Sequence, residues 1–373
     1  MKRGLVFATL LLLMTTSVGR ENDVYQLLRR GGADYQQVLP GRILEFPRDH
    51  LSHPGYRIEW WYLTANLIDT HGHAWGLHWT LFRQALNADG NPQGWNSNQV
   101  WMAHAALSTP NGHRYQQRFA RGGIDQAGVA IDDGRFQAWL DDWQLTGDGP
   151  EPLPGTLVVR MREISARLDL SMDTPWVLHG DRGYSQKSAQ GQASYYYSQP
   201  HVQVTGVIDL AGKKVSVRGQ GWFDREWSSQ PLAENQPGWD WFSLHFRDGS
   251  ALMVFRLRQE IADDDSDVAI GHSGDWVSGT WINPNGDSRA LSADDIRLRP
   301  LKERMVQREQ QEPLALPLVW SLALPGMGGD YQWIIRAPDP QHWLATSFPY
   351  WEGPVVAEGA NPGVGYLELT GYR

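Results

Sequence analysis

No cysteine occurs among the 373 residues of the chain. This absence excludes a disulfide framework, a cysteine nucleophile and a lipid anchor attached through cysteine. The sequence also has no excess of basic residues, because 33 lysines and arginines stand against 42 aspartates and glutamates, for a net charge of −9. Proteins that bind nucleic acids normally present a basic face, so we expect no nucleic-acid partner.

The common motifs of nucleophilic and nucleotide chemistry are missing as well. The chain has no Gly-x-Ser-x-Gly elbow, no phosphate-binding loop and no dinucleotide fingerprint. His71 and His73 fall in a predicted turn and His78 on a predicted strand, without the three or four convergent ligands that a zinc site needs. We therefore expect neither a metal site nor a cofactor.

Long apolar runs are confined to the N-terminus. Lys2 and Arg3 precede an apolar run over residues 5–14, and small and polar residues follow up to Gly19. This order is typical of a secretory signal, and the run is too short to span a membrane. We predict a signal peptide over residues 1–19 and export to a bacterial periplasm without lipidation. The mature protein is then not an integral membrane protein. An amphipathic pattern predicts a short N-terminal helix and linker over residues 20–45.

Turn-forming residues and tryptophan are abundant instead, with 39 glycines, 22 prolines and 19 tryptophans. Short β-rich segments alternate with tight turns from residue 58 onward, and the first two, 58–67 and 75–83, form a predicted hairpin. This spacing predicts antiparallel sandwiches or barrels. Tryptophan combines a large apolar ring with one N–H donor, so its frequent use fits a large apolar cavity or a broad binding surface.

The beginning of the first β-rich region has a counterpart later in the chain. Glu59 opens a strand with two aromatic residues, and the return strand ends at Arg83; Asp240 opens a later strand in the same way, and its return strand contains Arg256. The repeated order indicates two related β domains in tandem. We place the first at residues 46–235 and the second at residues 236–373.

Carboxyl groups beside aromatic rings are the strongest candidates for chemistry. Asp224 follows Trp222 and Phe223, Glu59 precedes two tryptophans, and Asp240 lies between two more. A carboxyl group packed against indole rings loses hydration, which raises its pKa and lets it donate a proton near neutral pH. The alternative is a buried structural ion pair with Arg83 or Arg225. We prefer the ion pair for Glu59 and Asp240, and leave both interpretations open for Asp224.

A run of three tyrosines adds a second aromatic group. On a strand, Tyr195 and Tyr197 face one side and Tyr196 the other. If this strand precedes the hairpin over residues 202–221, then Tyr195 and Tyr197 can line one cavity together with Trp222 and Asp224. A packed sandwich interior with hydroxyl groups at its rim is an equally ordinary explanation.

Nine short motifs follow one another along the chain: EWWY (59–62), HWTLFR (78–83), AHAAL (103–107), RFARG (118–122), VLHGD (177–181), ASYYYS (193–198), WFDREW (222–227), YWEG (350–353) and GYLELTGY (365–372). Taken in this order, they resemble the carotenoid 1,2-hydratase-like family, which includes the AttH-type periplasmic proteins. The resemblance runs from about residue 46 to the C-terminus. It implies two lipocalin-like β-barrels in tandem, in agreement with the internal repeat.

The resemblance also implies an activity for one branch of the family. That branch adds water to an isolated double bond of an acyclic carotenoid without a cofactor, and an aspartic acid protonates carbon. It uses a His-x-Trp pair upstream and a Tyr-x-Asp pair downstream. In this chain Asp224 aligns with the acid and Trp222 replaces the tyrosine, while Tyr195 and Tyr197 stand at the first pair.

We therefore expect a periplasmic lipocalin-like protein that encloses an elongated isoprenoid- or lipid-like ligand. The expected reaction is acid-catalysed hydration or a related cation rearrangement, with Asp224 as the proton donor. The expected catalytic residues are Asp224, Tyr195, Tyr197 and Trp222. The expected ligand-binding residues are Glu59, Trp60, Trp61, Tyr62, His78, Trp79, Trp227 and Trp241. The alternative is a non-catalytic binding or delivery protein that serves a cell-envelope transporter, with Asp224 paired to Arg225. Carbohydrate binding by exposed tryptophans is a third, weaker alternative.

Overall fold

The computed structural model describes residues 32–260, 274–309, 311–329 and 331–372. The predicted signal peptide lies outside these ranges, as does most of the predicted N-terminal helix. Within them the regular structure consists of β-strands and three short 3-10 helices, with no α-helix (Arg48–His50, Gly94–Asn96, Pro325–Met327). No helix in these ranges is both long and apolar enough to cross a bilayer.

The first sheet is built from the strands of the first half of the chain. They are β1 (Ile58–Asp69), β2 (Ala74–Ala85), β3 (Gln99–Thr109), β4 (Gly112–Arg121), β5 (Ala127–Asp132), β6 (Arg135–Leu140), β7 (Trp143–Gly147), β8 (Gly155–Met161), β9 (Ile164–Ser171), β10 (Val177–Leu178), β11 (Tyr184–Gln186), β12 (Ala193–Leu210) and β13 (Lys213–Ser228). Neighbouring strands run antiparallel in the order β4-β3-β2-β1-β13-β12-β9-β8-β7-β6-β5, and β10 and β11 pair with β12. Because β6 also packs against β2, β3 and β4, the sheet curls into a nearly closed barrel.

The second sheet contains the remaining strands. They are β14 (Trp239–Phe246), β15 (Ala251–Leu257), β16 (Trp276–Ile282), β17 (Ser288–Leu291), β18 (Arg297–Arg308), β19 (Gln311–Ala323), β20 (Gln332–Arg336), β21 (Trp343–Leu344), β22 (Tyr350–Gly359) and β23 (Gly363–Thr370). Their antiparallel order is β17-β16-β15-β14-β23-β22-β20-β19-β18, with β21 beside β22. The predicted all-β architecture of two tandem antiparallel barrels or sandwiches is confirmed.

Side chains alternate between two buried environments along the strands where the sheets meet. In β1, Trp61, Leu63 and Ala65 point into the core of the first barrel, while Tyr62 belongs to a separate apolar cluster between the sheets. In β14, Phe242 packs in the core of the second sheet in the same way. Both faces of these strands are therefore buried, which explains why their sequences are apolar on both faces.

The described residues thus form three main apolar layers, beside two smaller clusters. The two outer layers are the cores of the two sheets. The middle layer joins side chains of both halves of the chain, among them Tyr62, Tyr196 and Trp222 from the first sheet and Trp241 and Phe255 from the second. The middle layer contains the cavity described next.

Candidate functional site

A cavity of about 360 Å³ lies between the two sheets, outside both barrel cores. Its floor is the outer face of the first sheet, with side chains from β1, β2, β3, β4, β12 and β13. Its roof comes from the second half of the chain, including Trp239, Trp241 and Phe255. A volume of this size falls in the range of small-molecule binding sites.

The strand register arranges the floor in rows that cross the sheet. One row runs through directly paired residues of six neighbouring strands: Tyr196, Glu226, Trp60, Phe82, Met102 and Phe119. All six line the cavity. Since neighbouring strands lie about 4.8 Å apart, the row is roughly 24 Å long. It leads from a polar end at β12 and β13 to an apolar end at β4.

The apolar end opens to solvent. Phe119, which lines the cavity at this end, is 52% exposed. Ser347 of the second half of the chain also lines the cavity and is exposed. The polar end is closed, because Tyr196, Asp224 and Glu226 are all buried. A ligand would therefore enter through an apolar mouth and meet the carboxyl groups at the inner end.

Asp224 stands at this inner end without a cationic partner within the described residues. Its Oδ1 accepts hydrogen bonds from Trp222 Nε1 at 2.6 Å and from Ser198 Oγ, and its Oδ2 accepts one from Tyr196 at 2.8 Å. The Tyr196 hydroxyl in turn accepts a bond from Trp241 Nε1 at 3.1 Å, so both sheets contribute to its environment.

Burial raises the pKa of Asp224 from 3.8 to about 7. The hydrogen bonds from Ser198, Tyr196 and Trp222 act in the opposite direction, because they stabilise the carboxylate, but they do not outweigh the loss of hydration. The nearby charge of Glu226 raises the pKa further. Near neutral pH a large part of this carboxyl group is protonated and able to donate its proton.

A buried histidine behind Asp224 can accommodate the extra proton. His179 Nε2 lies 2.6 Å from Ser198 Oγ, and its Nδ1 lies 2.8 Å from Thr280 Oγ1 in the second sheet. Burial lowers the pKa of His179 to about 3, so the imidazole is neutral and one of its nitrogens accepts a hydrogen bond. When that acceptor is Nε2, Ser198 donates to His179 and can accept the proton of Asp224.

Glu226 lies two residues along the same strand face and has a different environment. Lys187 Nζ is 2.9 Å from its Oε1, and Ser194 Oγ donates to the same oxygen. Lys187 also lies 4.2 Å from the ring centre of Phe255. Of these two carboxyl groups, Asp224 therefore has no cation beside it in the described residues, and Glu226 has an ammonium partner.

The roof carries a third carboxyl group. Trp239 Nε1 donates to Glu368 Oε1 at 2.6 Å, and burial raises the pKa of Glu368 to about 8. Next to it on β22, Glu352 accepts a bond from Tyr62 and lies 3.1 Å from His78 Nδ1, joining the two sheets. Burial also raises the pKa of Glu352 well above its ordinary value. Glu368 lines the cavity, whereas Glu352 lies outside its lining.

The structure corrects the predicted placement of two tyrosines. Tyr195 and Tyr197 do face the same side, but that side is away from Asp224: they pack with Tyr56 and Trp227 against the N-terminal segment. Ser198 pairs with Asp224 and Tyr196 with Glu226 across β12 and β13. Directly paired residues share a face, so Tyr196 and Ser198 lie on the cavity side of β12. Beyond the irregularity between Gln199 and Val202, the even-numbered Val202 and Val204 point into the core of the first barrel instead. Trp222 lies behind Asp224 and does not line the cavity itself.

The predicted ligand-binding residues divide into two groups. Trp60, Tyr62 and Trp241 line the cavity. The other five do not: Glu59, Trp61, His78, Trp79 and Trp227. Trp61 and Trp79 belong to the core of the first barrel, Trp227 stacks on His53 at a centroid distance of 4.0 Å, and His78 lies beside Glu352.

Glu59 and Asp240 form the structural ion pairs that the sequence favoured. Glu59 is buried and binds both Arg83 and Arg225. Asp240 is buried and binds Arg256 and Arg258 at 2.7 and 2.6 Å. Because Arg225 is committed to Glu59, it is not available to Asp224.

The sequence interpretation missed Tyr196, Lys187, Glu226 and Glu368 as cavity residues. The signal for Glu226 was present, because it lies two positions after Asp224 on a strand and so shares its face. Lys187 belongs to a loop and Glu368 to the second half of the chain, and only long-range strand pairing brings them near Asp224. No local pattern could have found them.

Comparisons with known proteins agree with this architecture. The profile of the AttH-like family matches residues 37–372. A Nitrosomonas europaea protein assigned to AttH is 32% identical, covering 91% of this chain and all of the other, with a TM-score of 0.73. Kievitone hydratase from Nectria haematococca shares the fold at 14% identity, covering 91% and 96% of the two chains, with a TM-score of 0.63. CghA, solved with Sch210972, shares it at 11% identity, covering 92% and 99%, with a TM-score of 0.53. A search of curated protein sequences gives no significant match.

Proposed function

The chain belongs to the AttH-like family, and from this premise we propose that it binds an apolar, unsaturated ligand between its two sheets and hydrates an isolated double bond of that ligand. The reaction is acid-catalysed and needs no cofactor. Asp224 is the proton donor, and the ligand is isoprenoid- or lipid-like.

One observation carries this proposal: Asp224 lines an apolar cavity, is buried, and has no arginine or lysine partner in the described part of the chain. An acid with a pKa of about 7 is half protonated near neutral pH. General acids are most effective when their pKa lies near the working pH. An ion pair with Arg225, which the binding-protein alternative assumed, is ruled out by the pairing of Arg225 with Glu59.

The aromatic lining suits the intermediate of such a reaction. Protonation of a double bond at its less substituted carbon leaves a cation on the more substituted one. Trp60 and Trp241 face the cavity beside the acid, and an indole face stabilises a desolvated cation by about 2 kcal/mol. Because the cavity is otherwise apolar, few competing nucleophiles surround the cation. Capture by water then yields an alcohol.

The fold supports hydration in at least one distant relative, since kievitone hydratase carries that activity in its name. At 14% identity this likeness concerns the fold alone, so the argument for hydration rests on Asp224 and its cavity. The length of the floor row favours an elongated ligand, and the exposed apolar mouth lets part of such a ligand extend beyond the cavity.

We place the protein in the periplasm, on the basis of the signal-like order of residues 1–19. Mass spectrometry of the exported protein would show a new N-terminus close to residue 20, and an uncleaved chain in the cytosol would contradict this location.

A second function, non-catalytic delivery of an apolar ligand to an envelope transporter, is favoured by one specific feature. Asp224 already has three hydrogen-bond donors, an arrangement that also suits a purely structural acid. Carbohydrate binding has less support, because Trp95 is the one tryptophan of the 19 that is largely exposed.

Turnover by an Asp224→Asn variant separates these functions. The purified protein would be incubated with acyclic isoprenoids of increasing chain length, and the products analysed by mass spectrometry for the gain of one water. We expect alcohol from the wild type and a loss of about 10²–10⁴-fold in rate for Asp224→Asn. Ligand affinity, followed by quenching of tryptophan fluorescence, should be retained.

Asp294→Asn, a matched substitution at an exposed position, should keep full turnover. Equal turnover by wild type and Asp224→Asn would remove the hydratase proposal. Binding without turnover by either protein would favour the delivery function.

A further inference from the structure

The hydration proposed above transfers two protons, and Asp224 accounts for only the first. After water attacks the cation, the new C–O bond carries an oxygen with one proton too many. A group near the attacking water must take that proton. The candidates are the Asp224 carboxylate left by the first step and a second carboxylate in the same cavity.

Glu226 is a second carboxylate in a suitable position. It lies directly across the strand pair from both Tyr196 and Trp60, in the middle of the polar end of the floor. Residues two apart on one strand face have Cα atoms about 6.6 Å apart. In inverting glycosidases, a carboxylic acid and a carboxylate whose carboxyl groups are roughly 6.5–9.5 Å apart act as acid and base, with room for a water between them.

The hydrogen bonds of Glu226 leave one of its oxygens available. Lys187 and Ser194 both bind Oε1. Within the described ranges Oε2 has no hydrogen-bond partner, although the residue lines the cavity. The Lys187 ammonium pairs with the Glu226 carboxyl group and balances its charge, whereas Asp224 has no such partner within the described ranges. Two carboxyl groups in contrasting environments are the usual arrangement for an acid and a base.

We propose that Glu226 is the general base that accepts the second proton, and that Lys187 is the residue that positions its carboxyl group. This inference rests on the proposed hydration. In the first step the π electrons of the double bond form a C–H bond with the proton of Asp224, whose O–H electrons remain on the carboxylate. In the second step a water lone pair forms the C–O bond while Glu226 Oε2 takes a proton from that water.

The step leaves an alcohol, an ionised Asp224 and a protonated Glu226. Net transfer of the proton from Glu226 to Asp224 through solvent restores the starting state, so that one alkene and one water give one alcohol. A protonated alcohol is a strong acid, so even a carboxylate paired with lysine is basic enough to accept its proton.

Hydration in D₂O distinguishes the roles of the two acids. The probe is farnesol, an acyclic isoprenoid alcohol with a trisubstituted terminal double bond, and two longer acyclic isoprenols complete the series. Alcohol formation and deuterium incorporation into recovered probe are measured together. Deuterium enters recovered alkene when protonation occurs and the cation then loses a proton back to Asp224 without capturing water.

For Glu226→Gln we expect diol formation to fall about 10²-fold or more, while deuterium incorporation into recovered alkene persists. The same substitution at exposed Glu303 should change neither quantity. Lys187→Met should also lower diol formation while deuterium incorporation into recovered alkene persists, because the Glu226 carboxyl group loses the ammonium that positions it.

A double variant separates the loss of the base from a loss of stability. Glu226→Gln leaves buried Lys187 without its partner and can destabilise the protein, whereas Glu226→Gln with Lys187→Met removes both charges together. The double variant should also exchange deuterium without forming diol.

The two proposals fail in different ways. If wild type hydrates the probe and Asp224→Asn does not, but Glu226→Gln and the double variant hydrate at close to the wild-type rate, the Glu226 inference is wrong and Asp224 takes back the second proton itself. If wild type gives neither alcohol nor deuterium with any member of the series, hydration itself is contradicted.

Discussion

Glu59 and Asp224 lie on neighbouring strands of one sheet and are both buried, yet their environments are opposite. Glu59 points toward the barrel interior, where two guanidinium groups hold it. Burial alone would raise its pKa, but Arg83 and Arg225 outweigh that effect and keep the pKa well below its ordinary value. Asp224 points the other way, meets only neutral donors, and has a pKa raised to about 7.

The difference shows what separates a structural acid from a reactive one on the same sheet. Burial is common to both residues, so burial does not decide the outcome. The presence or absence of a cation decides it, and the face of the strand determines which cations are within reach. The second sheet contains a structural acid of the same kind as Glu59, because Asp240 is paired with Arg256 and Arg258.

The largest effect on stability should come from breaking the structural acid. Glu59→Gln leaves Arg83 and Arg225 buried and without their carboxylate, which we expect to lower the free energy of unfolding by about 3–5 kcal/mol. Since the pKa of Glu59 is lowered on folding, its contribution is present above pH 4.5 and is lost as the pH falls below that value. Urea denaturation of variant and wild type at pH 7 and pH 3 measures the loss of stability and its dependence on pH. Equal stability of the two proteins at pH 7 would contradict the ion-pair role of Glu59.

For Asp224, the dependence of stability on pH should run in the opposite direction from that of Glu59. The pKa of Asp224 is raised on folding, so its contribution to stability is present below pH 3.8 and is lost as the pH rises through about 7. A shift of three pKa units corresponds to about 4 kcal/mol as an upper bound. The stability of Asp224→Asn relative to wild type should therefore increase from pH 4 to pH 8, as measured by urea denaturation. A difference that does not change with pH would show that Asp224 is not protonated in the native state.

Removing the buried acid of the second sheet, Asp240, should destabilise the protein less than removing Glu59. Arg256 and Arg258 are each 14% exposed, so water partly solvates them when their partner is removed. Asp240→Asn should lower the free energy of unfolding by about 2 kcal/mol, less than Glu59→Gln. If Asp240→Asn lost as much free energy of unfolding as Glu59→Gln or more, the cost of removing the acid would not depend on how deeply its arginine partners are buried.

The smallest effect concerns the tyrosine that donates to Asp224. Tyr196→Phe removes a hydrogen bond that stabilises the carboxylate, so the pKa of Asp224 should rise by about one unit. Turnover requires protonated Asp224, so the alkaline limb of the rate profile should move to higher pH. Tyr197→Phe is the matched control, because Tyr197 lies on the other face and bonds to His50 at 2.6 Å. If the alkaline limb moved by the same amount in both variants, the effect of Tyr196→Phe could not be attributed to its hydrogen bond with Asp224.

The fold and the position of Asp224 among aromatic rings could be predicted from the sequence, whereas the faces and partners of the site residues could not. The alternation of strands, the tandem repeat and the motif around Asp224 are local patterns, and they led correctly to two antiparallel β units with an acid among aromatic rings. The side on which Tyr195, Tyr196 and Tyr197 face depends on the register between β12 and β13. That register carries an irregularity between Gln199 and Val202, so the face could not be extrapolated from one end of β12 to the other.

The partners of Glu59 and Asp224 could not be predicted from neighbouring residues in the sequence either. Glu59 and Arg225 are 166 residues apart in sequence, and Asp224 is adjacent to the arginine that it does not bind. Adjacent residues on a strand point to opposite faces, so closeness in sequence works against such a pair. The roof of the cavity comes from the second half of the chain and is determined by how the two sheets pack.

The protonation state of Asp224 can be measured directly. A ¹³C NMR titration of protein labelled at aspartate side-chain carboxyl carbons, with Asp224→Asn used to assign the resonance, reports the pKa of this one group. We predict a midpoint near pH 7 for Asp224. A midpoint at or below pH 4 would show that the carboxyl group is ionised throughout the neutral range and cannot act as the proposed acid.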